Sequence, residues 1–157
     1  TAVHKICENY IDNKEDWKEG VQPANMYMFN SMKPVLDEKI TNVWFQECFL
    51  YSDELQTAGQ VDCIGEWEGE LAVIDFKTSR RLKKESDITG YFMQVAFYAK
   101  AFTEMTGQEV NKGVVFIGVD DNDPQTFVFD TNEYLDHFKA VREKYSELHE
   151  KEKIHFI

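Results

Sequence analysis

The stretch Gly59-Gln60-Val61-Asp62-Cys63-Ile64-Gly65-Glu66-Trp67-Glu68-Gly69-Glu70-Leu71-Ala72-Val73-Ile74-Asp75-Phe76-Lys77-Thr78-Ser79 sets two largely apolar runs on either side of a Glu-Gly pair. A two-residue loop at Glu68-Gly69 makes this a β-hairpin and places Asp62 directly opposite Asp75. Directly opposed side chains have Cβ atoms about 4.5–5.5 Å apart, so two carboxylates there repel unless a cation compensates them. Residues two apart share a face of a strand, which puts Asp75 and Lys77 on the face of Leu71 and Val73. Ala72, Ile74 and Phe76 fill the other face. A polar pair thus ends an apolar, buried strand, where a charge is costly unless it is paired or bound to a metal. Hard oxygen ligands of this kind suit Mg²⁺ or Mn²⁺ better than zinc. The alternative is a strand-end ion pair that reaches solvent, with Asp62 a surface residue.

Outward from the hairpin, periodicity predicts the remaining elements. Val3, Ile6, Cys7 and Tyr10 recur at helical spacing within Ala2 to Ile11. A second helix is expected from Pro23 to about Ile40, kinked or restarted at Pro34. Val43 to Tyr51 is β-branched and aromatic, and Thr57 to Trp67 and Glu70 to Phe76 are the hairpin strands. Asp87 to Met105 reads as a long helix stopped by Gly107. Lys112 to Val119 is an apolar run fit for a strand buried on both faces, and Asp120-Asp121-Asn122-Asp123-Pro124 is a turn before a strand at Thr126 to Phe129. Tyr134, Leu135, Phe138, Val141, Tyr145 and Leu148 mark a last helix. The order α-α-β-β-β-α-β-β-α predicts one α/β domain, residues 1–157, around a mixed central sheet flanked by helices.

Composition limits the function. The 157 residues carry 17 Lys and Arg against 29 Asp and Glu, a net charge of −12. That balance argues against a general electrostatic grip on nucleic acid, so any such contact must be local. With 43% apolar and 14% aromatic residues the chain is built to fold. No run reaches the ~20 apolar residues of a membrane span, and the expectation is a soluble intracellular protein. Cys7, Cys48 and Cys63 are odd in number and lack C-x-x-C spacing, so neither a disulfide framework nor a zinc site is expected. At helical spacing from His4, Glu8 sets a carboxylate one turn away, able to orient the ring or to bind a metal through water. Glu47, between Phe45 and Phe49, either lines the same pocket or is an acid on a partly exposed strand. Gln94 and Tyr98, four apart, share a helix face that Tyr91 lies close to. His137, His149 and His155 carry no assigned role.

In this order, Thr1-Ala2-Val3-His4, Gly59-Gln60-Val61-Asp62, Asp75-Phe76-Lys77 and Gln94-Val95-Ala96-Phe97-Tyr98 resemble the PD-(D/E)xK nuclease superfamily on its RecB-like exonuclease branch. Through Ile74 to Ser79 and Gln94 to Tyr98 the nearest resemblance is to the mitochondrial genome maintenance exonuclease group and similar phage exonucleases. It implies a restriction-endonuclease-like fold and a Mg²⁺- or Mn²⁺-dependent deoxyribonuclease. His4, Asp62, Asp75 and the Phe76 carbonyl would hold the metal, and Lys77 would orient or activate the attacking water. Gln94 and Tyr98 would lie beside the active site. Iron-sulfur relatives use four cysteines including a C-terminal group, and the last cysteine here is Cys63, so no cluster is expected. The group also has a segment upstream of its His motif, which this sequence is expected to lack.

From Lys77 to Lys84 there are five positive residues and no acid. Thr78, Ser79, Arg80, Arg81, Lys83 and Lys84 are therefore the candidate contacts to phosphate, and a solvated loop is the alternative. The resemblance favours single-stranded DNA, with aromatic stacking supplementing a weak field. The expected function is a DNA exonuclease of recombination, repair or replication, in the host cytoplasm if phage-encoded. The rival readings are a structure-selective endonuclease on the same fold and a non-catalytic DNA-binding module.

Overall fold

In the computed structural model, residues 1–148 and 155–157 are described. The hairpin organises the sheet. Glu68 has φ 51° and Gly69 φ 81°, so both central residues of the turn adopt the left-handed conformation that matches the twist of antiparallel strands. The loop joins β2 (Thr57–Trp67) to β3 (Glu70–Ser79), following β1 (Ile40–Ser52). Pairing runs from Trp67↔Glu70 to Cys63↔Ile74, which is the expected register. Past that pair the two strands part. β2 continues against β1 down to Ser52↔Thr57, while β3 runs parallel to β4 (Lys112–Val119) as far as Ser79↔Val119.

β5 (Gln125–Asp130) closes the far edge, for a strand order of β1-β2-β3-β4-β5. A short β6 (His155–Phe156) pairs in parallel with β2 at Thr57 and Ala58, on the stretch that β3 has left. Helices cover both faces. Leu71 and Val73 belong to one apolar cluster, under α3 (Thr89–Thr106) and α4 (Asn132–Leu148). Ala72, Ile74 and Phe76 belong to the other, under α1 (Ala2–Ile11) and α2 (Pro23–Lys39). In β4, every residue from Gly113 to Val119 is buried, as a strand covered on both sides must be. Among the described residues no helix is long and apolar enough to cross a membrane.

Several boundaries differ from expectation, most by a residue or two at strand ends. α2 runs without interruption through Pro34. The lost hydrogen bond and ring clash there are offset by Phe29, Met32 and Leu36, all essentially buried on the face that meets the sheet. Thr78 and Ser79 belong to β3 rather than to a loop, because β4 continues to pair with them. α3 begins at Thr89, preceded by a 3₁₀ turn at Glu85–Asp87. β6 has no counterpart in the sequence reading, and His149 lies outside the described residues.

The turn yields a direct check on the register. At Gly69 an added Cβ would meet nothing within 4 Å, so a substitution there costs backbone strain alone. Gly69→Ala should destabilise the protein by about 1–2 kcal/mol, and Gly69→Asn by less, because asparagine tolerates the left-handed region. Urea unfolding of the two variants measures the difference.

Candidate active site

Where β2 and β3 part, Asp62 and Asp75 meet. The Phe76 amide, which would bond a strand carbonyl in a continuing ladder, donates to Asp62 Oδ2 at 2.8 Å. Asp75 is 3% exposed, and its Oδ2 is buried with no donor in hydrogen-bonding geometry. Lys77 Nζ stands 3.2 Å from that oxygen, close enough for ion pairing but not aligned as a bond. Burial first, and the neighbouring Asp62 second, push the Asp75 carboxyl well above the usual carboxylate range; Lys77 offsets this in part. Two adjoining carboxylates share too little positive charge.

Lys77 is held from three sides. It stands 3.2 Å from Asp75, 3.5 Å from Gln94 Oε1, and 4.8 Å from the centroid of the Tyr91 ring. The Gln94 amide in turn donates to Tyr98 Oη at 3.1 Å, so the side chain's two ends are both engaged. Burial, with Asp75 and Asp62 adding to it, raises the Tyr98 phenol and keeps it protonated. The alternation of β3 explains the convergence: Asp75 and Lys77 point toward α3, whose i, i+4 pair Gln94 and Tyr98 faces them.

From the opposite face comes α1. Thr1 caps it by accepting from the His4 amide at 3.2 Å. His4 Nε2 lies 2.9 Å from Glu47 Oε1 and 3.3 Å from Asp62 Oδ1. One ligand atom from each of His4, Glu47 and Asp62 falls within 4.8 Å of the others. Glu47 sits at the point of β1 between the pairs Gln46↔Cys63 and Cys48↔Val61, with φ 53°. A left-handed residue inside a strand is strained, and such strain persists where the surroundings over-determine it. Here it accompanies a carboxylate that reaches the histidine. Burial and the Asp62 charge raise the Glu47 carboxyl, while His4 lowers it.

The structure thus brings His4, Glu47, Asp62, Asp75, Lys77, Tyr91, Gln94 and Tyr98 to one place. The Phe76 ring packs 6.2 Å from the His4 ring. Glu8 pairs with Lys5 at 3.1 Å rather than with the His4 ring, and Glu47 is the carboxylate on His4. Its charge still contributes to raising Glu47. Ser79 Oγ donates to Arg81 O and accepts from Arg81 N, so it closes the loop. Arg80, Arg81 and Lys84 are exposed, Lys83 and Thr78 half-buried. The Lys83 backbone is tied to the Gln125 side chain at 2.8 and 3.0 Å, which fixes the basic loop to β5.

Gly59 had no role by itself in the sequence reading beyond its place in G-x-x-D. A Cβ there would lie 3.1 Å from Tyr98 Cε1 and 2.8 Å from Ile157 Cγ1. Only a long-range contact requires that glycine, and no local signal announces it. Burial lifts the thiols of Cys7 and Cys63 to about 12, with Asp62 adding to both, so neither is a nucleophile.

A mixed sheet that opens on paired carboxylates and a poised lysine, with a Gln/Tyr helix behind, is a nuclease architecture. The chain belongs to the PD-(D/E)XK nuclease superfamily, whose profile matches residues 2–156. It is 32% identical over 119 residues to mitochondrial genome maintenance exonuclease 1 of Xenopus tropicalis, covering 73% of this chain and 34% of that protein. The mouse protein of the same name is 31% identical over 80 residues, 51% of this chain and 23% of that one. The chain therefore spans about a third or less of those relatives. The crystal structure of a Eubacterium rectale protein named "putative exonuclease" shares the fold, with a TM-score of 0.60 and 12% identity over 93% of this chain and 64% of that one.

Nucleases of this superfamily use divalent metals, and the residues present fit one. A buried carboxylate oxygen without a donor, two adjoining carboxylates and a histidine form an oxygen-rich donor set that lacks positive charge. The raised Asp75 has a stability consequence in metal-free protein. Its folded value exceeds its unfolded one, so the native state holds the proton more tightly, and stability is lost as pH rises from about 3.8 through the folded value. With chelator present, Asp75→Asn should be more stable than wild type at pH 7. The gain should vanish below the unfolded value, as thermal melts across that range would show.

Proposed function

We propose that this chain is the catalytic domain of a Mg²⁺- or Mn²⁺-dependent DNA exonuclease that hydrolyses phosphodiester bonds of single-stranded DNA during recombination, repair or replication. The observation that carries this reading is the Asp75 carboxylate, buried beside Asp62 with an oxygen that no protein donor satisfies. Such a pair is costly without a cation. The names of the curated relatives support the exonuclease activity.

His4, Asp62, Asp75 and the Phe76 carbonyl would hold the ion, with Glu47 completing the set from β1. When bound, it supplies Lewis acidity toward a phosphoryl oxygen and a lowered pKa for water. The protein's own part is placement and charge. Lys77, 27% exposed and steadied by Gln94 and Tyr91, presents an ammonium group to the scissile phosphate, where it orients the attacking water and offsets developing negative charge. Tyr98, kept protonated, holds the Gln94 amide and through it Lys77. Thr78, Arg80, Arg81, Lys83 and Lys84, with Ser79 shaping their loop, position the strand by its phosphates.

Two measurements test this. End-labelled single-stranded DNA should be degraded with Mg²⁺ or Mn²⁺ and left intact with chelator. Asp75→Ala should abolish turnover, and Lys77→Ala should lower kcat by about 10²–10³-fold, the size of losing one transition-state donor. A covalently closed single-stranded circle should resist; cleavage of the circle would make the enzyme an endonuclease. Wild-type activity in Asp75→Ala would place the reaction elsewhere. Independently of turnover, saturating Mn²⁺ should raise the melting temperature of the wild type, by about 2.7 kcal/mol of stability at a hundred times Kd, and should leave Asp75→Ala unmoved.

A further inference from the structure

On the side of the parting strands away from the hairpin turn, three strands lie side by side: β1, β2 and β6. Across them Tyr51 pairs with Ala58 and Ala58 with Phe156, so an aromatic, a small residue and an aromatic stand in one row. Phe49 pairs with Gln60 in the next row, on the same face by alternation. Phe49 is 75% exposed and Phe156 73%, among the largest exposures of any apolar side chain described. Both line a groove of about 390 Å³, and none of the nine residues lining it has a charged side chain.

Its position gives it an occupant. Gln60 is two residues from Asp62 along β2, and Phe49 two residues from Glu47 along β1, so the slot is continuous with the carboxylate cluster. The Gln60 amide donates to Glu47 O at 3.0 Å, which fixes the boundary between slot and cluster. The floor is Ala58 and Gly59, and the next ring beneath Gly59 is that of Tyr98. Flat apolar faces over a floor without bulky side chains accept a planar ring, and every nucleobase offers one. A duplex keeps its bases stacked on each other and unavailable.

We propose that Phe49 and Phe156, on either side of the Ala58–Gln60 stretch of β2, form a stacking site for a nucleobase of single-stranded DNA within one or two nucleotides of the scissile phosphate. This rests on the nuclease reading above and adds to it where the substrate's bases, rather than its phosphates, are held. It gives an acidic protein a source of affinity that does not depend on positive charge.

The test is steady-state cleavage of end-labelled single strands with Mn²⁺, each carrying one abasic nucleotide at successive positions from the end. Wild type should show one or two positions where KM rises about tenfold with kcat little changed, base stacking being worth that much or more. Phe49→Ala and Phe156→Ala should raise KM on the intact strand by a similar factor and lose the position dependence. Both side chains are exposed, so the fold is retained, and Val128→Ala, an exposed apolar residue on β5, serves as the control with wild-type KM. The dependence of KM on salt should be the same in all variants, because no phosphate contact is removed. A flat abasic profile in an active wild type, or an unchanged KM in Phe49→Ala and Phe156→Ala, overturns the stacking site and leaves the nuclease reading intact. If sedimentation shows that Phe49→Ala disperses a dimer while KM stays put, the slot is a self-association face and the proposal is wrong. No cleavage by wild type under any metal would remove the nuclease reading itself.

Discussion

The structure turns on one hydrogen bond: the Phe76 amide donates to the Asp62 carboxylate rather than to a strand carbonyl. The two strands that the Glu68-Gly69 turn holds in register from Trp67↔Glu70 to Cys63↔Ile74 separate at that point. A sheet that opens leaves backbone groups to satisfy. Here β3 keeps β4 on its other edge, where the pairing already runs from Ala72, β2 keeps β1 and gains β6, and the Phe76 amide at the crotch of the fork takes a side chain. The fork does two things at once. It makes room in the middle of a sheet, where residues are otherwise packed, and it turns a carboxylate into that room from the very strand that had been part of the ladder.

Everything polar in the site is then a response to burying Asp75. The carboxylate is nearly inaccessible, faces another acid, and receives from Lys77 a charge rather than an aligned bond. Replacing such a pair by apolar residues commonly stabilises a protein. The surrounding core could support that exchange, since Val73 and Ile74 beside it are fully buried and the apolar clusters close on both faces. Retaining two acids there sets stability against chemistry. The left-handed backbone of Glu47 is a second cost of the same kind, and both converge within the one cluster with His4.

How far this was legible in the sequence depends on the range of the interactions. The hairpin was, because a two-residue turn with glycine at its second position admits one register, and that register set Asp62 against Asp75. The alternation of apolar residues in β3 then gave the faces, with Asp75 and Lys77 toward α3. The Gln94/Tyr98 pair was legible for the same reason at helical period. Glu47 has two readings from sequence, since a single left-handed residue within an otherwise ordinary strand leaves no mark in residue type: its conformation is over-determined by contacts from α1, distant in the chain. Spacing alone sets Glu8 one turn from His4, but an i, i+4 pair on a helix is only near, and Lys5 at three residues competes for the carboxylate. β6 and the need for Gly59 arise from segments about a hundred residues apart, beyond any periodicity.

Charge is the feature that sequence alone most easily misreads. A net charge of −12 opposes polyanion binding only if it is spread evenly, and here it is not. Two of the acids stand in the fork, where a cation would convert them from repulsion to attraction, and Glu47 adjoins them. Five of the 17 basic residues follow Asp75 within nine positions, Lys77 at the end of β3 and the other four on a loop tied to β5 through Gln125. The groove beyond the fork is lined by no charged side chain. A strand crossing this surface would meet positive charge on one side of the metal site and aromatic faces on the other, with few phosphates neutralised in all. Counterion release scales with the number of phosphates neutralised, so binding of this kind depends only weakly on ionic strength. Affinity from stacking and affinity from phosphate contact would then be separable on the two sides of the carboxylate cluster, because only the second changes with the number of ions released.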